Sequence, residues 1–356
     1  MKRTKRIAIL LAGLLTAACT LLPLVDEEAR MARFICTFSW QDSSAESRPD
    51  SFALAILRTY NSVHVIKEVA LEGKDTISVA FGEYLALAAG SSPMDAYKLE
   101  YFADEQPILN TDGGMTWDPA GLFACIPTMA NARIDKLFGG HSWTDPSYAV
   151  IPEATPLFLA KTRKELLSGN AVERLELSAR DVTQQVSFRI SLDTAPGIVI
   201  DTLSACITGT PRRIQVISNA VANVNEQLGQ TLFRLYPTSS NGQYEGSIRC
   251  LGIFPSVNEE YEFSPGILQV HIHAAIGSVS RYLDARINLK RQIEEAGLLA
   301  DPDGTGYFTI ATRQAMLSVE TPLVITEDNV RAEGDVYLEW VDHEVGHDEN
   351  GDPLEF

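Results

Sequence analysis

A two-residue apolar rhythm, recurring from one end of the chain to the other, constrains this fold most. In residues 267–275, Leu268, Val270, Ile272 and Ala274 alternate with Gln269, His271, His273 and Ala275. Successive side chains on a strand point to opposite faces, so this alternation predicts a strand with one face in a core. Phe34, Cys36, Phe38 and Trp40 share a face in the same way within 33–40. So do Val182, Val186, Phe188 and Ile190 within 182–192, and Val336, Leu338 and Trp340 within 334–345. Further strands are expected over 51–60, 62–71, 76–89, 97–101, 171–178, 198–209, 214–217, 232–235, 246–254 and 307–310. In Phe81-Gly82-Glu83-Tyr84 the glycine permits a bend or bulge inside 76–89. Helical spacing is best in 287–300, with Leu289, Ile293 and Leu298 among charged residues, and a short helix is expected at 160–169.

Residues 110–160 contain Gly113-Gly114, Gly139-Gly140 and prolines at 119, 127, 146, 152 and 156, with Trp117 and Trp143 between them. They read as long ordered loops hung on a sandwich. Many short strands, separated by Gly, Pro, Asn and Asp turns, argue for an all-β fold of antiparallel sandwiches. At 356 residues the chain is long enough for two domains. The expected division is a signal over 1–18, a tether over 19–32, and β-sandwiches over 33–175 and 176–356, the second ending in an acidic tail.

The amino end predicts export. Lys2, Arg3, Lys5 and Arg6 precede an apolar run over 7–15, and small residues Ala17 and Ala18 stand before Cys19. This is the order of a bacterial signal whose cysteine accepts a lipid, with Thr16 where such signals usually carry Leu. The run is too short to span a bilayer, so a lipid tether in the outer membrane is expected. The chain carries 47 acidic against 29 basic residues, a net charge of −18, and four basic residues leave with the signal. Such a field repels a phosphate backbone, and no nucleic-acid partner is expected. Cys36, Cys125, Cys206 and Cys250 are widely spaced with no C-x-x-C pair, which leaves buried thiols and one or two disulfides both open.

Catalytic motifs are weak. His343-Glu344-Val345-Gly346-His347 spells H-E-x-x-H, which on a helix holds zinc between two histidines. Here it follows an alternating strand, and in a strand positions four apart lie roughly 13 Å apart, too far to grip one ion. His271 is formally available as a third ligand, but no metal site and no cofactor is expected. Asp301-Pro302-Asp303-Gly304-Thr305 and Asp348-Glu349-Asn350-Gly351-Asp352 loosely suggest calcium loops, yet both lack the twelfth-position glutamate and read as turns. No G-x-S-x-G elbow or phosphate-binding loop occurs. Trp117 and Trp143 are candidate glycan contacts, though tryptophans in long loops also pin those loops to a core.

Together the signal, the strand 34–40, Phe81-Gly82-Glu83-Tyr84, the segments 181–190 and 200–210, and the closing 336–340 resemble the fimbrillin-associated lipoproteins of Bacteroidales, within the fimbrillin-like superfamily. That resemblance implies two tandem transthyretin-like Greek-key β-sandwiches behind a lipidated Cys19. It also implies a non-enzymatic role as anchor, accessory subunit or tip component of a surface fimbria, with strand insertion between subunits. The long 110–160 stretch and the acidic tail over 348–356 depart from the family pattern. A glycan- or nutrient-binding surface lipoprotein is the alternative reading, and a zinc-dependent envelope hydrolase a more distant one.

Overall fold

The computed structural model describes the chain from Met31 to Val341, apart from residues 42–47, 50, 59–64, 71–75, 81, 92–95, 102–107, 110–114, 117–120, 141, 167–171, 241, 258–263, 278, 327–329 and 333–337. Cys19, Trp117, the H-E-x-x-H string and the acidic tail lie outside the described residues. The fold is all-β, with α-helices at Asn131–Phe138 and Lys290–Ala296 among the described residues.

In the first half, a seven-stranded sheet runs in the order Val65–Ala70, Ser51–Arg58, Gly82–Ser91, Leu157–Leu166, Val172–Asp181, Met31–Trp40, Ile77–Ala80. Leu157–Leu166 pairs with Gly82–Ser91 along its whole length. It touches Val172–Asp181 only through Phe158↔Asp181 and Leu159↔Arg180. The sheet turns a corner at that short seam, so its two limbs face each other. Phe34, Cys36, Leu175 and Leu177 from one limb pack with Phe52, Leu54 and Phe158 from the other in one core. As the alternation predicts, Phe34 and Cys36 are fully buried, and Phe38 stacks on Phe52 with centroids 4.1 Å apart. Gly82, at φ 151°, opens the strand that carries the chain from one limb to the other.

The second half faces a six-stranded sheet against a five-stranded one. The first runs Ala149–Ile151, Leu228–Arg234, Ile198–Pro211, Ile267–Ile276, Val279–Asn288, Leu338–Val341. The second runs Tyr236–Pro237, Gln243–Cys250, Gln184–Thr194, Gln314–Ile325, Val330–Ala332. Val186, Phe188 and Ile190 of the five-stranded sheet meet Leu268, Val270 and Ile272 of the six-stranded sheet, all fully buried. Each such side chain contributes about 1.5–3 kcal/mol by leaving water. Ile293, from the expected 287–300 helix, closes one end of this core.

The halves share a further apolar cluster, in which Leu85, Leu87, Leu157 and Leu159 pack against Ile214, Val216, Leu251 and Phe254. Val182 belongs to this interface and not to the core of its neighbours Val186 and Phe188. Beside it, Arg249 Nη1 lies 3.2 Å from Asp181 Oδ2 and donates to Thr183 Oγ1 at 2.9 Å.

Several expectations are corrected. The sheets are mixed: Met31–Trp40 runs parallel to Val172–Asp181, Gln184–Thr194 to Gln314–Ile325, and Ala149–Ile151 to Leu228–Arg234. Alternation is the same in either direction, so the sequence does not distinguish them. The described part of the expected 160–169 helix is not helical: Leu157–Leu166 is a strand, buried on both faces at its start, and its Lys-Thr-Arg-Lys-Glu-Leu end only imitates helix composition. Within 110–160 the loops are interrupted by the helix Asn131–Phe138 and the strand Leu122–Cys125. The strand Gln314–Ile325 was hidden by Pro322, which sits where the register jumps from Ile190↔Val319 to Leu192↔Leu323.

Candidate functional site

With Leu268, Val270, Ile272 and Ala274 in the core, His271 and His273 must face outward from the six-stranded sheet. The register then sets His271 opposite Asp284 and His273 opposite Tyr282. His271 Nδ1 is hydrogen bonded to Asp284 Oδ1, and His273 Nδ1 lies 3.5 Å from Asp201 Oδ2. The rings form a ladder. Trp143 lies on His271 (5.0 Å, 2°), His271 on Tyr282 (4.9 Å, 8°), and Tyr282 on His273 (4.6 Å, 25°). Both faces of His271 are therefore covered. Although it faces outward from the sheet, its side chain is only 11 % exposed.

Trp143 arrives on a segment that crosses the outer face of this sheet. The helix Asn131–Phe138 ends at Gly139 in the left-handed region (φ 76°), and its Ile134 packs with Trp143, Cys206 and Leu232. The indole Nε1 donates to Gly140 O at 3.1 Å, and the residue is 6 % exposed. Trp143 thus has the packing of a pin that holds the 129–150 segment against the sheet. Gln230 is the polar counterpart, 1 % exposed in the largely buried strand Leu228–Arg234. Its Nε2 donates to Asp145 O and Tyr148 O at 2.6 Å each. Its Oε1 accepts from Asp145 N at 3.1 Å and from the Cys206 thiol at 3.0 Å. Sequence reasoning passed over Gln230, although a lone glutamine amid Leu228, Leu232 and Phe233 was a visible signal.

The remaining candidates are occupied by the chain itself. Asp301 accepts hydrogen bonds from Gly306 N at 2.7 Å and Thr305 N at 3.0 Å, and these N–H groups lower its pKa. This is the turn geometry expected of that loop. Cys36, Cys125, Cys206 and Cys250 are free thiols. Burial raises Cys36, Cys125 and Cys250 to about 12 and Cys206 well above its ordinary value. Among the described residues, no group of His, Cys, Asp and Glu is arranged to hold a metal ion, and no helix is long and apolar enough to cross a membrane.

Among the described residues the sheet edges in the second half are short: Ala149–Ile151 and Leu338–Val341 flank one sheet, Tyr236–Pro237 and Val330–Ala332 the other. Short edges limit uncontrolled pairing with other chains.

No family model and no curated protein matches the sequence. Solved structures do match the fold. A candidate adhesin from Bacteroides ovatus ATCC 8483 is similar with a TM-score of 0.51 at 11 % identity, over 85 % of this chain and 98 % of that one. A second candidate adhesin from Bacteroides ovatus gives 0.45 at 11 % identity, over 88 % and 96 %. The fimbrial anchor protein Mfa2 from Porphyromonas gingivalis gives 0.38 at 11 % identity, over 86 % and 98 %. The chain therefore shares an all-β fold with a bacterial candidate adhesin across nearly all of that protein's length.

Proposed function

We propose that this chain is a non-enzymatic, lipid-anchored protein of the cell envelope that serves in surface adhesion or fimbrial assembly. The observation that carries this reading is the fold shared with a candidate adhesin, at a TM-score of 0.51 over 98 % of that chain. The basic cluster, the short apolar run and Ala17-Ala18-Cys19 supply the means of attachment, an acylated cysteine in the outer membrane. In this reading the two halves are tandem transthyretin-like sandwiches, each with its own core, the first ending with the strand Val172–Asp181. The partner is another surface or fimbrial protein, received at a sheet edge or face, where backbone hydrogen bonds need no catalytic cluster.

The test is a deletion strain complemented with the parent gene or with Cys19→Ala. Surface fimbriation or adherence should fall in the deletion, return with the parent, and fail to return with the variant although the protein is made. Unchanged adherence and fimbriation in the deletion strain would overturn the proposal.

A further inference from the structure

We infer that a cleft at the corner of the second sandwich is a binding site for a neutral saccharide. The chain leaves the six-stranded sheet at Arg234 and pairs again at once, through Tyr236–Pro237, with Glu245 and Tyr244 of the five-stranded sheet. Where it crosses, the sheets and the end of the helix Asn131–Phe138 enclose an open cleft of about 570 Å³. Small-ligand sites span ~300–1,000 Å³, so the space accommodates one or two sugar rings.

The lining dictates the ligand class. It carries the carboxylates of Glu153 and Glu245, the guanidinium of Arg234, the hydroxyls of Ser187 and Ser247, and the ring of Tyr236. Each charged group is held in place by one bond. Glu153 Oε1 accepts from Arg249 N at 2.8 Å, Glu245 Oε1 from Arg189 Nε at 2.5 Å, and Arg234 Nη2 donates to Leu137 O at 2.7 Å. A carboxylate accepts at about four positions and a guanidinium donates five N–H groups, so each retains capacity for a ligand. Ser187 and Ser247 are directly opposed on neighbouring strands, which places both residues on one patch of the sheet. The carboxylates are each countered by an arginine, Glu245 by Arg189 and Glu153 by Arg249, and Arg234 adds a further donor, so the cleft presents donors and acceptors of both signs with no single-sign field. A polyol satisfies both, donating to the carboxylates and accepting from the guanidinium and the serines. Tyr236, 64 % exposed at the rim, offers an aromatic face to the C–H side of a pyranose.

Two further features fit a built site. Gly246 lets the walls come together, since a Cβ there would stand 2.4 Å from Arg234 O. Desolvation raises the Glu153 pKa, opposed by the N–H and charge of Arg249, so a hydroxyl donor at that carboxylate would be welcome. This assignment goes beyond the anchored role and is independent of Cys19.

The experiment is saturation-transfer NMR and titration calorimetry on the purified full chain with glucose, galactose, mannose, N-acetylglucosamine and their common disaccharides. At least one should bind saturably, with affinity falling about tenfold in Tyr236→Ala and in Glu245→Gln. Tyr307→Ala, which does not line the cleft, should leave it unchanged. Thermal melts establish that each variant folds, and Tyr236→Ala decides alone if Glu245→Gln does not. The inference is overturned if no neutral sugar saturates, if Tyr236→Ala binds as the parent does, or if glucuronate binds more tightly than glucose. Failure with membrane attachment intact would remove the sugar site and leave the anchored role standing.

Discussion

Replacing Gln230 by leucine should free the 129–150 segment while leaving the sandwich beneath it folded. The substitution keeps approximate volume but removes an amide that accepts from Asp145 N and the Cys206 thiol and donates to Asp145 O and Tyr148 O. A hydrogen bond in a folded protein contributes about 1 kcal/mol net, which puts the loss at about 3–4 kcal/mol. Leaving all the former partners buried and unpaired would cost more, about 1–3 kcal/mol each, so the segment relaxes toward water instead. Release separates Trp143 from His271 and breaks the Met129 N to Val150 O bond of 2.8 Å. Amide exchange followed by mass spectrometry should show Met129 and its neighbours losing protection, while Phe188, Val270 and Ile272 keep theirs. Thermal unfolding should report the lost stability in parallel. Unchanged protection over 129–150, or a loss below about 1 kcal/mol, would refute Gln230 as the clamp of this segment.

Other positions give sharper single readings. Gly209 has φ 80° at a register shift, and a Cβ there would stand 2.5 Å from Pro265 Cβ, so Gly209→Ala should cost at least about 1–3 kcal/mol in denaturant melts. Because Cys36 and Cys250 are fully buried and raised to about 12, a thiol reagent at pH 8 should leave both unmodified until the protein unfolds. In the Cys19→Ala variant all four remaining cysteines should then react, and fewer would reveal a disulfide. The same shifts make the folded state hold more protons than the unfolded one above the ordinary thiol range. Stability from these groups is thus full below about pH 9 and is lost as pH rises toward about 12, measured as a falling melting temperature.

The core strands were legible because their pattern is a direct image of burial. Leu268, Val270, Ile272 and Ala274 alternate in the sequence and are all fully buried in one core. Where a strand is buried on both faces, the pattern vanishes: Leu157 and Leu159 enter one cluster, Phe158 and Ala160 another, and the segment passes for a helix. Short elements escape for a different reason. The helix Asn131–Phe138 buries Ile134 alone, too little to show a period. Sites were less legible still. His271 and His273 were visible as a pair, but their partners Asp284 and Tyr282 come from the neighbouring strand and Trp143 from a loop. The corner cleft is assembled from five separate stretches of chain and has no local motif. The basic cluster, the apolar run and Ala17-Ala18-Cys19, on which the proposed attachment rests, are by contrast entirely local in the sequence.

The account's central claim is attachment through Cys19, and intact mass spectrometry of the protein extracted from cell membranes tests it most directly. The predicted result is a chain that begins at Cys19 and carries the added mass of acyl chains, in the membrane pellet and accessible to protease on whole cells. Cys19→Ala should shift to the soluble fraction with its melting temperature unchanged, since the first core begins with Ala32 and Phe34. An unmodified parent chain in the soluble fraction, or a Cys19→Ala variant that stays in the pellet, would contradict the account.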